Sequence, residues 1–498
     1  MIRRNLIANF LGQGWTALMG LAFIPVYIKH LGIEAYGLIG IFAVLQAWLT
    51  LLDVGMTPTL GREMARFTGG AITVQQLRDL LRSIEVLTFA LVATVALAAI
   101  LSSKWIATNW LNPDTLSSEV VAQAFAVMGL AVALKFAEGI YRSSLVGLQK
   151  QVLFNAINAT VATVRAVGAI AVLIYISPTV QGFFFWQAAV SVGAVAALAF
   201  ATYQVIPRTH ARARFSISAL SQVWRFAAGM FGITFLALLL TQVDKILLSK
   251  MLSLEQFGFY ALAAAVASGL FALVSPITQA FYPRFCEFVA LNDVVGLSRC
   301  YHDAAQLVSV VAGSLAIVLI VYSEVILGLW TQDSHVAAQA APLLSLLMLG
   351  NLLNCMMWVP YQAQLAYGWT GLAIRINCVA VLLVIPAILI TVPKFGAVAA
   401  AWVWVTLNAA YILIGAQLMY RKILSADKVP WYLQDMILPI SVTSGISLLI
   451  RLAVPASEEQ PIAASITLLC VFAVAMASSI LALRISNLLL SRFRLSHA

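Results

Sequence analysis

Apolar residues do not alternate along this chain, nor do they recur every third or fourth position. They run on without a break. "VLTFALVATVALAAILSS" and "GSLAIVLIVYSEVILGLW" each approach the ~20 residues that a helix needs to cross hydrocarbon. A transmembrane barrel would show alternating segments of about ten residues, which these runs exclude. The pattern predicts about fourteen membrane-spanning helices, near 5–28, 35–57, 80–103, 119–144, 152–176, 183–206, 223–248, 257–280, 304–330, 336–365, 371–391, 395–420, 435–455 and 462–484. The fold class is therefore an all-α polytopic membrane protein.

Composition agrees. Of 498 residues, 62% are hydrophobic and 10% charged, against about 25% charged in soluble domains. The short basic start, Arg3 and Arg4, leads into a first span with no small-residue cleavage site. Charge orients the map. Short loops on one side carry twenty-one Lys and Arg, those on the other side six. By the positive-inside rule the rich side, with both termini, is cytoplasmic. The net charge of +10 is then a feature of the cytoplasmic leaflet and not a nucleic-acid footprint. Five scattered cysteines form no CxxC or CxxH pattern and read as small apolar residues. No metal site, cofactor site or phosphate-binding glycine loop is evident.

One stretch is written twice. "YIKHLGIEAYGLIGIF" (27–42) aligns without a gap on "LSKMLSLEQFGFYALA" (248–263) at an offset of 221. Lys29 falls on Lys250, Glu34 on Glu255, Gly37 on Gly258. Six expected helices separate the copies, an even number, so the copies share orientation and predict parallel repeats. The expected organisation is two six-helix bundles, 1–206 and 223–420. A basic linker, 207–222, joins them, and 421–498 adds two further helices and a tail. A cleft between parallel bundles suits alternating access, and the pattern alone points to a transporter.

Several motifs carry a resemblance. They are "FIPVYIKHLGIEAYGLIGIF", "LLDVGMTPTLGREMAR", "YRSSLVGLQKQVLFNAIN", "QVDKILLSKMLSLEQFGFYALA", "FYPRFCEF", "QLAYGWTGLAIRIN" and "KFGAVAAAWVW". In this order and spacing the chain resembles the Wzx-type polysaccharide transporters. These form the O-antigen and teichoic-acid exporter branch of the MOP superfamily, which also holds MATE drug exporters and lipid II flippases. The resemblance implies a two-lobe fold around a polar cavity in the bacterial inner membrane. The implied substrate is an undecaprenyl-diphosphate-linked oligosaccharide, flipped from the cytoplasmic to the periplasmic leaflet. A coupling ion, proton or sodium, is implied as well, and a polysaccharide polymerase or chain-length regulator is a further possible partner. The competing readings are a MATE-like cation antiporter, a lipid II-type flippase and, less in keeping with the short loops, a non-transporting scaffold or glycosyltransferase.

The residues can be tested against that expectation. Each sugar hydroxyl stripped of hydrogen bonds costs roughly 4–8 kcal/mol in an alkane-like medium, so a flippase must offer polar side chains within its spans. Asn5, Asn9, Gln13 and Thr16 share one helix face, as do Gln46, Thr50, Asp53 and Thr57. Asn155 and Asn158 lie near Arg165, and Asn351, Asn354, Trp358 and Tyr361 form another stripe. Each stripe reads either as cavity lining or as hydrogen-bonding glue between helices. An ionisable group at mid-bilayer costs at least ~2.5–3.5 kcal/mol and marks function by default. Lys135, Glu138 and Arg142 on one span and Arg165 on the next form a candidate cationic site for a diphosphate or acidic sugar. The alternative is a structural Lys135–Glu138 or Arg165–Glu138 pair. Asp53 reads either as a proton site or as a partner for the cytoplasmic-loop residues Arg62 and Arg66. Asp244 and Lys245 read as a gate or local pair, and Arg375 as a cation reaching the cytoplasm.

The topology predicts that a cysteine placed near Arg212 reacts with an impermeant thiol reagent only from the cytoplasmic side. One near Thr115 or Glu458 should react only from the other side. Labelling of the opposite sense would overturn the span map.

Overall fold

The computed structural model describes residues 2–49, 56–68, 72–207, 213–217, 235, 238–239, 241–367, 369, 371–453 and 461–496. Among them, twelve helices are long and apolar enough to cross a membrane. Each coincides with one expected span. The expected span 35–57 appears as the shorter apolar helix Ile33–Leu49, and 223–248 falls largely outside the described residues.

The chain folds into two compact units, 1–258 and 259–498. The first contains α1 (Ile2–Ala22), α2 (Ile24–Leu31), α3 (Ile33–Leu49), α4 (Met56–Thr68), α5 (Val74–Asn109), α6 (Ser118–Gly147), α7 (Gln151–Ala171) and α8 (Val180–Val205). A helix over 241–251 follows. α9 (Leu254–Ala290) begins at the end of this unit and opens the second. The second unit goes on through α10 (Val294–Val321), α11 (Ser323–Thr331), α12 (Ser334–Met356), α13 (Trp358–Ala366), α14 (Gly371–Phe395) and α15 (Ala397–Ala410). It ends with α16 (Ala416–Tyr420), α17 (Leu438–Ala453) and α18 (Pro461–Ser496).

α6 is the most enclosed helix of the first unit, and its sequence explains why. Gly129, Ala133 and Ala137 recur at steps of four and are all buried. Small residues let backbones approach where lipid gives helices no hydrophobic reason to associate. Local signals set the ends. α5 opens on a capping box: Thr73 Oγ1 accepts from the Gln76 amide, and the Gln76 side chain accepts from the Thr73 amide. Ser117 and Thr179 cap α6 and α8 in the simpler way. Glu85, buried on α5, accepts hydrogen bonds from the hydroxyls of Tyr141 on α6 (2.9 Å) and Tyr203 on α8 (2.8 Å) and pairs with Arg82. One carboxylate thus fastens three helices. The described part of the basic linker lies along α5, where the Arg214 amide donates to Asp79 and the Ser216 amide to Ser83.

The first unit runs past that linker to Gly258, and the repeated stretch is the reason. Glu34, buried, accepts from the backbone amides of Asp114 (2.7 Å), Thr115 (3.0 Å) and Leu116. The adjoining residues grip the second copy. Trp110 Nε1 donates to Ser249, Asn112 Nδ2 donates to the Lys250 carbonyl, and the Leu254 amide donates to the Asn112 carbonyl. Lys250 lies over the Trp110 ring at 4.9 Å. The copies also touch directly. A Cβ on Gly37 would sit 2.4 Å from the Leu254 carbonyl oxygen, and a Cβ on Gly258 would sit 2.4 Å from that of Ile33. Leu254 is the aligned counterpart of Ile33, as Gly258 is of Gly37. The two contacts are therefore the same contact made twice, the pattern a two-fold relation between the copies produces.

Gly258→Val should destabilise the fold by ~1–3 kcal/mol, because neither opposing atom is a side-chain end that can swing aside. Gly20→Ala, with nothing within 4 Å, should be neutral. Thermal unfolding of the two variants in detergent is the check, and equal midpoints would refute the close approach.

Candidate functional site

The charged residues expected within the spans of the first unit come together in part. Arg165 on α7 reaches back to Glu138 on α6, with Nη2 3.0 Å from the carboxylate, and donates at 3.2 Å to Ser191 on α8. Both side chains of the pair are largely enclosed. Lys135 stands one turn before Glu138. Its ammonium donates at 2.7 Å to Gln46 on α3 and lies close enough to feel the charges of both Arg165 and Glu138. Among the described residues, two cations thus lie near one carboxylate, and the group has a positive excess. Arg165 Nε has no protein partner, so part of its donor fork is unspent. Arg142 is not in this group. It is exposed near the end of α6, 5.5 Å over the Phe154 ring.

The polar stripes mostly do a different job. Asn158 on α7 donates to Thr16 on α1 (3.0 Å), and Trp15 donates to Thr163 (2.9 Å). Gly12 backs onto Asn155 so closely that a Cβ there would stand 2.3 Å from Oδ1. Asn155 also donates to the Gln151 carbonyl of its own turn. The matched stripes of α1 and α7 are thus zipped to each other. Gln13 is exposed, and the Asn9 side chain lies outside the described residues. In the second unit Asn351 donates to the Ala267 carbonyl and accepts from Trp404 Nε1. Asn354 donates to Asn408 (2.7 Å) and accepts from Trp358 Nε1 (2.9 Å). Both amides are engaged at both ends, so they serve first as interhelical links, with Tyr361 exposed nearby.

The remaining residues are quickly placed. Asp53 lies outside the described residues, as do the side chains of Arg62 and Arg66 on α4. Asp244 has a partner within the protein, and Lys245 donates to Gln242 at 3.1 Å. Arg375 is exposed on α14. Sequence reasoning missed Glu85, Trp404 and Asn408. Trp404 and Asn408 stand four apart on one helix, a spacing that a search limited to neighbours of Asn354 does not reach.

Comparison with known proteins gives this geometry a family. Residues 2–289 match the polysaccharide biosynthesis protein family (Polysacc_synt). The chain belongs to that family. It is also similar to a Shigella flexneri protein described as a "Putative O-antigen transporter", with 21% identity over 415 residues, 81% of this chain and 94% of that one. Among solved structures the family member resembles the lipid II flippase MurJ in its inward closed conformation, with a TM-score of 0.69 and 14% identity. That match covers 95% of this chain and 97% of the other. An inward-facing multidrug resistance MATE transporter of the MOP superfamily matches with a TM-score of 0.64 and 12% identity, over 83% and 96%. At these identities the likeness establishes a shared fold, in agreement with the fold class and the resemblance read from the motifs.

Removing one partner of a buried pair strands the other charge. Glu138→Ala should therefore cost roughly 3–5 kcal/mol of stability. Glu138→Ala combined with Arg165→Ala should recover most of it. Thermal unfolding of the two variants measures this, and equal losses in both would refute the pairing.

Proposed function

We propose that this protein carries a lipid-linked oligosaccharide, a surface-polysaccharide repeat unit on polyprenyl diphosphate, across the bacterial cytoplasmic membrane. It moves the head group from the cytoplasmic to the periplasmic leaflet by alternating access, drawing on an ion gradient. The observation that carries the reading is the Lys135–Glu138–Arg165 cluster. Among the described residues, two cations stand against one carboxylate inside an apolar helix bundle, an excess that favours a diphosphate or acidic sugar. Such a charge is expensive in lipid, and a transported anion is a reason to keep it. The family match and the similarity to an O-antigen transporter support the same class of substrate.

The physical need is clear. Several sugars and a diphosphate together lose tens of kcal/mol on entering hydrocarbon, at roughly 4–8 kcal/mol per stripped hydroxyl. At about tenfold in rate per 1.4 kcal/mol, such a lipid does not cross unaided. The MATE-like fold keeps a second reading in view, a drug or cation antiporter. A cavity for cations calls for excess carboxylates, and the cluster has the opposite balance. A lipid II-type flippase shares both the fold and the diphosphate chemistry, so the saccharide is what separates it from the reading preferred here.

A leaflet-specific flipping assay in proteoliposomes tests this. A polyprenyl-diphosphate oligosaccharide should be flipped. A cationic dye should not be moved, and lipid II should be moved more slowly. Lys135→Ala should slow flipping roughly ten- to a hundredfold, the loss of one charge-assisted hydrogen bond of about 1.5–3 kcal/mol. Lys135→Arg should retain part of the rate. Dye transport without oligosaccharide flipping would establish the antiporter reading instead.

A further inference from the structure

The second unit holds a titratable cluster that the substrate site does not use. His302 stands in the first third of α10. Its Nδ1 lies 2.5 Å from Oδ2 of Asp435, and its Nε2 lies 3.2 Å from Oδ1 of Asp427. Both aspartates belong to the irregular helical segment 425–437 that leads into α17. Asp435 is fully buried. Gln306 donates to Asp435 (2.8 Å) and Ser298 to Asp427 (2.7 Å), both from α10. Beside them the hydroxyls of Tyr301 and Tyr420 meet at 2.6 Å.

The hydrogen-bond inventory limits what this arrangement can be. A neutral imidazole has one N–H and one lone pair, and an ionised carboxylate only accepts. With His302 neutral and both aspartates ionised, one ring nitrogen would turn its lone pair toward a carboxylate oxygen. A further proton on the ring, which makes it an imidazolium with an N–H toward each carboxylate, removes that conflict and makes both contacts attractive. The carboxylates sit on opposite ring nitrogens, so no single metal ion can replace the proton, and no metal-binding group of His, Cys, Asp and Glu occurs among the described residues. Other charges near it among the described residues include the Arg284–Glu287 pair on α9, Arg299 and Asp303 on α10, Arg421 and Lys422 next to Tyr420, and Lys428 on the facing segment. None of them is hydrogen-bonded to the imidazole.

We propose that His302, held between Asp427 and Asp435, is a proton-binding site whose occupancy fastens the 425–437 segment to α10, and that the proton bound there is the ion to which transport is coupled. With the proton in place the segment is clamped at both ring nitrogens. When the proton leaves, one contact turns repulsive. Asp427, at the longer distance and the more exposed of the two, is the end that lets go. A segment that docks and releases with one proton is a two-state element of the kind a gradient can drive.

The coupling half of this proposal rests on the transport reading above; the proton site does not. Two experiments on the full-length protein keep them apart. The first is nitrogen-15 NMR of the imidazoles in nanodiscs, with the His302 signal assigned by its loss in His302→Gln. At neutral pH that signal should report both ring nitrogens protonated in the wild type. A singly protonated ring would overturn the proton site. The second is oligosaccharide flipping in proteoliposomes, with and without an imposed pH gradient. The gradient should accelerate the wild type. His302→Gln and Asp427→Asn should flip without that acceleration. An unchanged gradient response in both variants would overturn the coupling. A wild type that flips no oligosaccharide at all would defeat the transport reading and the coupling with it, leaving the NMR result to decide the site.

Discussion

Polar groups between these helices must find partners inside the protein, because hydrocarbon supplies none. That constraint organises both units. Glu34 spends its carboxylate on three consecutive amides of the 114–116 turn, which fixes the segment that also holds residues 249–254. Glu85 gathers α5, α6 and α8 through two tyrosine hydroxyls. In the second unit, Asn351 and Asn354 take up the indoles of Trp404 and Trp358. A soluble protein would leave much of this work to apolar burial. Between helices already surrounded by lipid, burial gains little, so close backbone approach and matched polar pairs carry the association.

The same constraint explains what could be read from the chain in advance. Span positions were legible because a continuous apolar run has only one use at this length. The repeat was legible because its two copies keep the same glycine, for a reason visible at Gly37 and Gly258: each backbone leaves no room for a Cβ on the other. The role of the polar stripes was not legible. Asn158 and Thr16 follow the same periodicity whether they face water or one another, and only the partner helix decides. His302 was hidden for a different reason. Its partners lie 125 and 133 positions away, and no local pattern joins residues so distant.

Once the glue is assigned, the charges that are left over become informative. A structural ion pair needs equal numbers of opposite charges, and Arg165 with Glu138 satisfies that. Lys135 does not fit the scheme. It is enclosed, it has a neutral partner in Gln46, and it stands near a second cation. Stability alone would favour replacing it by a neutral residue, since like charges in a poorly hydrated place repel and desolvation penalises both. On the proposed reading, a visiting anion recovers that cost.

Two charged clusters of opposite balance occupy this chain. On the proposed reading, the Lys135 cluster, positive in excess among the described residues, takes up an anionic partner that comes and goes with the cargo. The His302 cluster, with two carboxylates and one imidazole, is negative in excess and has a shape that only a proton completes. In the proposed scheme one takes an anion and the other the smallest cation. A carrier that moves an anionic head group against its preference for water needs such a division. If a single cluster held both, they would be coupled by direct contact there; held apart, they are coupled only through two states of the fold that both bias.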